Sequence, residues 1–386
     1  MVMAGVYVAG VGFTKIAEHW DKDLEQLMAE VAVKALEDAG VSTVNAIYVG
    51  CALGEYLQCQ ANLGALMAEC AGLTGVPAFR AEAADASGAA ALYSGFCDIA
   101  SGRSEAVLVV GGEKLSDGLP EEVSSGMLMM SGRSWYEGFM GIDFYAMSAL
   151  LYRLYSKRYG DEGIPFFPVI SHEHAEGVAH AQYPFKITLD RVLESPFIAE
   201  PLRMLEVSGI GDGAAAAVLV SEELARRLKS PKIRMFISSA TDYVNPFDRE
   251  DPLRLQSVML SVSRVLEHAG ISRSELNMVE LHDSASILGA LCLESGGFSP
   301  PGAAGKLAMK GEFGLNGRLP CNTFGGLKAR GHPFGATAIY QVAEIYLQLA
   351  GRAGKNQLDK ARTGLAISLS GVGAAAFTSL LKMEEV

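Results

Sequence analysis

The chain reads as an α/β protein made of two similar halves with a segment inserted between them. Three observations lead there. The run Val265-Leu266-Glu267-His268-Ala269-Gly270-Ile271 echoes Ala35-Leu36-Glu37-Asp38-Ala39-Gly40-Val41, and each is followed by a short apolar run, Met278–Leu281 and Ala46–Val49. Further on, Gly335–Leu349 and Leu365–Leu369 echo a helix at Ala89–Ile99 and a strand at Ala106–Val110. A repeat at so long a period marks a duplicated β-α-β unit rather than a solenoid. The third observation is composition: 386 residues, 49% hydrophobic, with 43 glycines, which suits tightly packed α/β layers and leaves room for two or three domain-sized units. The resulting division is 1–114 plus 201–230 for the first half, 115–200 for the insertion, and 231–386 for the second half.

The elements follow in order. Val6–Gly12 reads as a first strand and its turn. Leu24–Ala39 is an amphipathic helix with Leu24, Leu27, Met28, Val31 and Ala35 on its apolar face, Asp23 as N-cap and Gly40 as its stop. Ala46–Val49 is a strand, Gln60–Gly72 a helix, and Thr74-Gly75-Val76-Pro77 a turn. Ala78-Phe79-Arg80 is a short strand, Ala89–Ile99 a helix with Leu92, Phe96 and Ile99 on one face, and Ala106–Val110 a buried strand. Residues 115 to 200 read as irregular and hold much of the aromatic content: Trp135, Tyr136, Phe139, Phe144, Tyr145, Tyr152, Tyr155 and Tyr159.

Composition excludes several classes. The net charge of −12 argues against unspecific nucleic-acid binding. No apolar run reaches the roughly 20 residues of a membrane span, and Met1–Gly5 lacks the basic start of a signal peptide. The six cysteines are scattered with no Cys-x-x-Cys pair, so no structural metal is expected, and a reduced, cytoplasmic setting fits.

The stretch Glu82-Ala83-Ala84-Asp85-Ala86-Ser87-Gly88 carries the chemistry. A strand, a tight turn and a helix of small residues put one side chain, Asp85, at a helix N-terminus with room around it, which is the geometry of a nucleophile elbow. The free N–H groups there favour an anion. Two readings compete for Asp85: a helix N-cap, or a carboxylate whose burial raises its pKa until it serves as a general base. Two other stretches place histidines in polar turns, Glu280-Leu281-His282-Asp283-Ser284-Ala285 and Asn322-Thr323-Phe324-Gly325-Gly326 through Gly331-His332-Pro333-Phe334-Gly335. Taken alone, each is also the pattern of a structural histidine at a strand end or turn.

These three loops, in this order, resemble the active-site loops of the thiolase superfamily, of the archaeal and sterol-carrier-protein type. The resemblance spans nearly the whole chain. It implies a duplicated thiolase fold, a five-layered αβαβα sandwich with an inserted loop domain that covers the site and helps bind coenzyme A. It implies that His332 and His282 form an oxyanion hole for a thioester enolate, with Asp283 holding the tautomer of its neighbour or a nearby turn. Substrate contacts fall to Ser284, Asn322, Gly331, Ser368 and Gly371. No cofactor is implied beyond the coenzyme A of the substrate.

One departure matters most. The acyl-carrying cysteine of thiolases falls on Asp85, and the places of the second cysteine hold Ser284 and Ser368–Gly371. A carboxylate makes no persistent thioester. Three functions follow. One is retro-aldol cleavage of a 3-hydroxyacyl-CoA with Asp85 as base, as in thiolase-like aldolases that work with a small OB-fold partner. Another is a non-catalytic subunit of an acyl-CoA complex. The third is acyl transfer of the acetyl-CoA acetyltransferase kind through another nucleophile. A homodimer or homotetramer is expected. Tyr183 and the insertion tyrosines are candidate proton donors, although tyrosines in such numbers more often pack. Arg226, Arg227, Lys229 and Lys232 form a basic cluster that fits either a solvated surface or coenzyme A phosphates.

Overall fold

The computed structural model describes residues 5–384. Four of the five residues behind the signal-peptide reading, 1–4, lie outside the described residues. The first half runs β1 (Val6–Phe13), α1 (Leu24–Ala39), β2 (Ala46–Gly50), α2 (Gly54–Leu57), α3 (Leu63–Cys70), β3 (Ala78–Ala81), α4 (Ser87–Ala100) and β4 (Ala106–Glu113). Asp23 caps α1 by accepting from the Gln26 amide, and Gly40 ends it in the left-handed region. The helix expected over 60–72 is shorter, because Asn62 takes a left-handed φ of 58° that no α-helix continues through.

The insertion is not irregular. It folds as α5 (Pro120–Ser131), α6 (Phe144–Tyr159), α7 (Phe167–Ala175) and α8 (Leu189–Glu194), then a small hairpin, β5 (Phe197–Ala199) and β6 (Leu202–Arg203). Its aromatics had masked the helical spacing: Phe144, Tyr152 and Tyr155 line the buried face of α6, while Trp135, Tyr136 and Phe139 stay exposed around a π-helical turn. Leu202 and Val207 pack into the same core as these helices. The chain rejoins the first half through β7 (Gly213–Ser221) and α9 (Glu222–Arg227), and the second half follows as β8 (Ile233–Thr241), α10 (Gln256–Ala269), β9 (Met278–Glu280), α11 (Ser286–Ser295), α12 (Ala304–Met309), α13 (Phe334–Leu349), β10 (Thr363–Ser370) and β11 (Ala375–Met383).

The strands order as β3-β2-β4-β7-β1-β8-β11-β10-β9. The two halves join where β1 and β8 run antiparallel, Val6 opposite Met235 and Val8 opposite Ile233. Helices α1 and α3 cover the first half's strands and α10 covers β8 and β11, while α4 and α13 pack against each other and against strands of both halves. That is five layers, α-β-α-β-α. Every residue of α13 is buried, the mark of a helix packed on all sides. Two glycines permit its close approach: a Cβ at Gly88 or at Gly111 would lie 2.4 Å from the Gly335 carbonyl oxygen. The N-termini of α4 and α13 therefore meet, and each carries a candidate residue just ahead of it.

Candidate active site

Asp85 precedes the first turn of α4. Ala84 before it takes a φ of +53°, a conformation that costs a residue with a Cβ about 1–2 kcal/mol. Ser87 holds the turn closed, donating to the Ala84 carbonyl at 2.5 Å and accepting from the Ala83 amide at 3.0 Å. The N-cap reading of Asp85 is overturned: the cap position is Ala86, with no side-chain cap bond. The carboxylate points across the gap between the halves instead. Its Oδ1 accepts from the Gly371 amide at 2.7 Å, and its Oδ2 lies 3.1 Å from His282 Nε2 and 3.7 Å from His332 Nε2. Asp85, His282 and His332 are 4%, 0% and 3% exposed.

The ring protons follow from the partners. The Leu369 amide donates to His282 Nδ1 at 3.2 Å, so the proton of this ring sits on Nε2 and faces Asp85. His332 stands edge-on to His282, centroids 5.1 Å apart, with its Nδ1 2.7 Å from Thr337 Oγ1. Burial pushes His332 down to about 4, against the raising influence of Asp85, so at neutral pH it is an uncharged ring. Burial alone pushes Asp85 up, as the sequence suggested. Hydrogen bonds from His282 and His332 lead the opposing influences, which together outweigh burial and hold the carboxyl well below the usual range. The raised pKa expected of a general base is thus not the resting state of Asp85: an anion is already seated among N–H donors.

One carboxylate and two imidazoles within 4.8 Å of one another have the spacing of a metal site. The geometry does not fit one. A ligating histidine donates its other ring N–H to an acceptor, whereas His282 Nδ1 receives an N–H and Nε2 has no lone pair to offer.

The other residues singled out from the sequence fall into three groups. Gly371 touches Asp85 directly, and Gly331 leads into His332 with a φ of 118°. Ser284 is buried with a hydroxyl that has no partner among the described residues, and Ser368 donates to Gln341 Oε1 at 2.7 Å; among the described residues neither bonds to a histidine. Asn322 turns its side chain to the Leu281 amide at 2.6 Å, which supports the His282 loop from behind. Asp283 holds a turn, accepting from the Leu327 amide at 2.7 Å and Ser171 Oγ at 3.1 Å, and leaves the His282 tautomer to the Leu369 main chain. Tyr183 lies beside Lys328 and His172. The basic cluster is largely spent: Arg226 pairs with Glu222, Arg227 with Glu105, and Lys232 donates to main-chain carbonyls.

Several residues were not read from the sequence as parts of the site. Buried Glu113 accepts from the Ala52, Leu53 and Gly335 amides at 2.9 to 3.0 Å, clamping the start of α13 to the loop after β2. Met127, Met130, Ser131, Phe144, Ser208 and Phe334 close over Asp85 and His332, leaving about 10 Å³ there, room for roughly one water. Cys51, Cys292 and Cys321 are buried, the other three cysteines are exposed, and none lines this cavity. Only Thr337 had a signal, standing in the first turn of a helix that begins beside His332.

The family described as thiolase, N-terminal domain, matches residues 6–135, and the one described as thiolase C-terminal domain-like matches 238–383. Acetyl-CoA acetyltransferase of Methanothermobacter thermautotrophicus is 36% identical over 97% of this chain and 98% of its own. Sterol carrier protein 2 of Oryctolagus cuniculus is 30% identical over 98% of this chain and 72% of its own. Among solved structures, the Ltp2-ChsH2(DUF35) aldolase superposes with a TM-score of 0.86 at 22% identity over 99% of both chains. Acetyl-CoA acetyltransferase from Syntrophomonas wolfei does so at 0.74 and 19%, over 99% of this chain and 100% of that one.

Proposed function

This chain belongs to the thiolase superfamily, and from that premise we propose that it cleaves a 3-hydroxyacyl-CoA by a retro-aldol step with Asp85 as the base. The observation that carries the reading is the seating of Asp85 Oδ2 against the Nε2 atoms of His282 and His332. Those donors suit the oxygen of a thioester enolate. The incoming thioester carbonyl takes them over from Asp85. The carboxylate, still buried but stripped of its donors, then gains proton affinity.

The step balances. Asp85 removes the proton of the 3-hydroxyl, the C2–C3 bond breaks, and C3 leaves as an aldehyde or ketone. The bonding pair passes into the thioester enolate, which the two imidazoles hold. Protonated Asp85 returns its proton to C2, giving the shortened acyl-CoA. The absence of cysteine from positions 85, 284 and 368 supports this over acyl transfer, as does the lack of a hydrogen-bonded base at Ser284 or Ser368 among the described residues. A panel of 3-hydroxyacyl-CoA thioesters tests it, with carbonyl release and acyl-CoA formation followed together. Turnover lost in Asp85→Asn supports the lyase; no carbonyl release from any member overturns it.

A second reading is favoured by how little room, about 10 Å³, the cavity leaves beside Asp85 and His332: a subunit that binds acyl-CoA or a partner without chemistry of its own. The likeness to the Ltp2-ChsH2(DUF35) aldolase supports including a small partner protein in the same assays. Turnover that appears only with such a partner would join the two readings.

A further inference from the structure

We propose that Thr337 is the positioning residue that makes His332 an N–H donor. The argument begins with the charge His332 faces. Its Nε2 lies 3.7 Å from Asp85 Oδ2. An unprotonated Nε2 would set a lone pair against a carboxylate oxygen in a buried site, so the proton belongs on Nε2 and Nδ1 must accept. The atom 2.7 Å from Nδ1 is Thr337 Oγ1, fully buried and without another side-chain hydrogen bond among the described residues. A hydroxyl either gives or receives; here it has to give.

The two histidines are held differently. His282 takes its tautomer from a main-chain amide, Leu369 N–H, which no side-chain substitution removes. His332 depends on one hydroxyl, carried by the first turn of α13. That helix start is fixed in turn by the Glu113 bond to the Gly335 amide. Thr337 thus sets the direction of one oxyanion donor through a rigid helix, as a support outside the reacting atoms should.

The functional meaning rests on the proposed role of His332, but the test reads the ring itself. Nitrogen NMR of ¹⁵N-histidine protein is recorded for wild type, Thr337→Val and Thr337→Ser, with the His332 signals assigned by their loss in His332→Asn. In wild type, Nε2 is expected at the protonated position and Nδ1 at the unprotonated position, shifted by hydrogen bonding. Thr337→Val moves Nδ1 towards the unbonded position and leaves His282 unchanged; Thr337→Ser restores the wild-type shift. A proton on Nδ1 in wild type overturns the inference whether or not the variants fold, and so does an Nδ1 signal indifferent to Thr337→Val. A protein inactive on every thioester but with the expected shifts would retain the inference and lose the lyase.

Discussion

Asp85 Oδ2 and His282 Nε2 meet at 3.1 Å across 197 residues of sequence, one from each half of the duplicated fold. The carboxylate of one half thereby occupies the donors of the other.

Emptying that seat should help a ligand that wants it. In Asp85→Ala a thioester carbonyl meets no competitor, and acetyl-CoA should bind about tenfold more tightly, the equivalent of about 1.4 kcal/mol. Titration calorimetry against wild type checks this. An unchanged Kd means the carbonyl does not use the histidines.

Replacing the carboxylate by sulfur should bring back a different chemistry. In Asp85→Cys the thiol faces the same N–H donors, which lower its pKa below the roughly 8.5 of a free cysteine. Acetyl-CoA should then acetylate residue 85, seen as a mass increase on that peptide, whereas wild type stays unmodified. Failure to acetylate would show that thioester carbon cannot reach position 85.

Acid should destabilise the fold through His332. Its folded pKa, about 4, lies below the ordinary 6.5, so between these values the unfolded chain binds the extra proton and stability falls as pH falls. The loss at roughly pH 5 is about 2 kcal/mol relative to neutral pH. Asp85, also depressed, adds its own loss only below the ordinary carboxylate range, near pH 4. Urea titrations should show a shallower slope between pH 6.5 and 5 in His332→Gln, with part remaining because burial also depresses His172 and His174.

The lid over the site should yield to truncation. Met130 is half-buried over Asp85, and Met130→Ala should lower the KM for acyl-CoA several-fold at a stability cost of about 1–2 kcal/mol. A KM that does not move, measured beside a thermal melt, would place the entry route elsewhere.

Closer helix packing should not be tolerated. A Cβ at position 111 meets the Gly335 carbonyl oxygen at 2.4 Å and Ala336 Cα at 2.9 Å, so Gly111→Ala must shift the start of α13. It should cost about 1–3 kcal/mol and disturb the His332 signals. A folded variant with unchanged melting temperature would contradict the packing described.

Much of the layout was legible in the chain. Helix α1 has the expected bounds because its cap, apolar face and stopping glycine are all local. The three loops were readable because glycine, proline and histidine patterns in tight turns are local too. The insertion was not: its helices bury aromatics against the second half, so their spacing makes sense only once the partner surface exists. The closing of the cavity by Met127 and Met130 is of the same kind.

Periodicity and turn chemistry within short windows specify the duplicated α/β architecture and which side chains lie at the loop tips. The resting state of Asp85 depends instead on how the two halves pack. Its ionisation hangs on the Gly371 amide, 286 residues away, and on two ring protons set by Leu369 and Thr337. A buried carboxylate's proton affinity is the balance of desolvation against the donors that reach it, and those donors are brought together only when the halves pack.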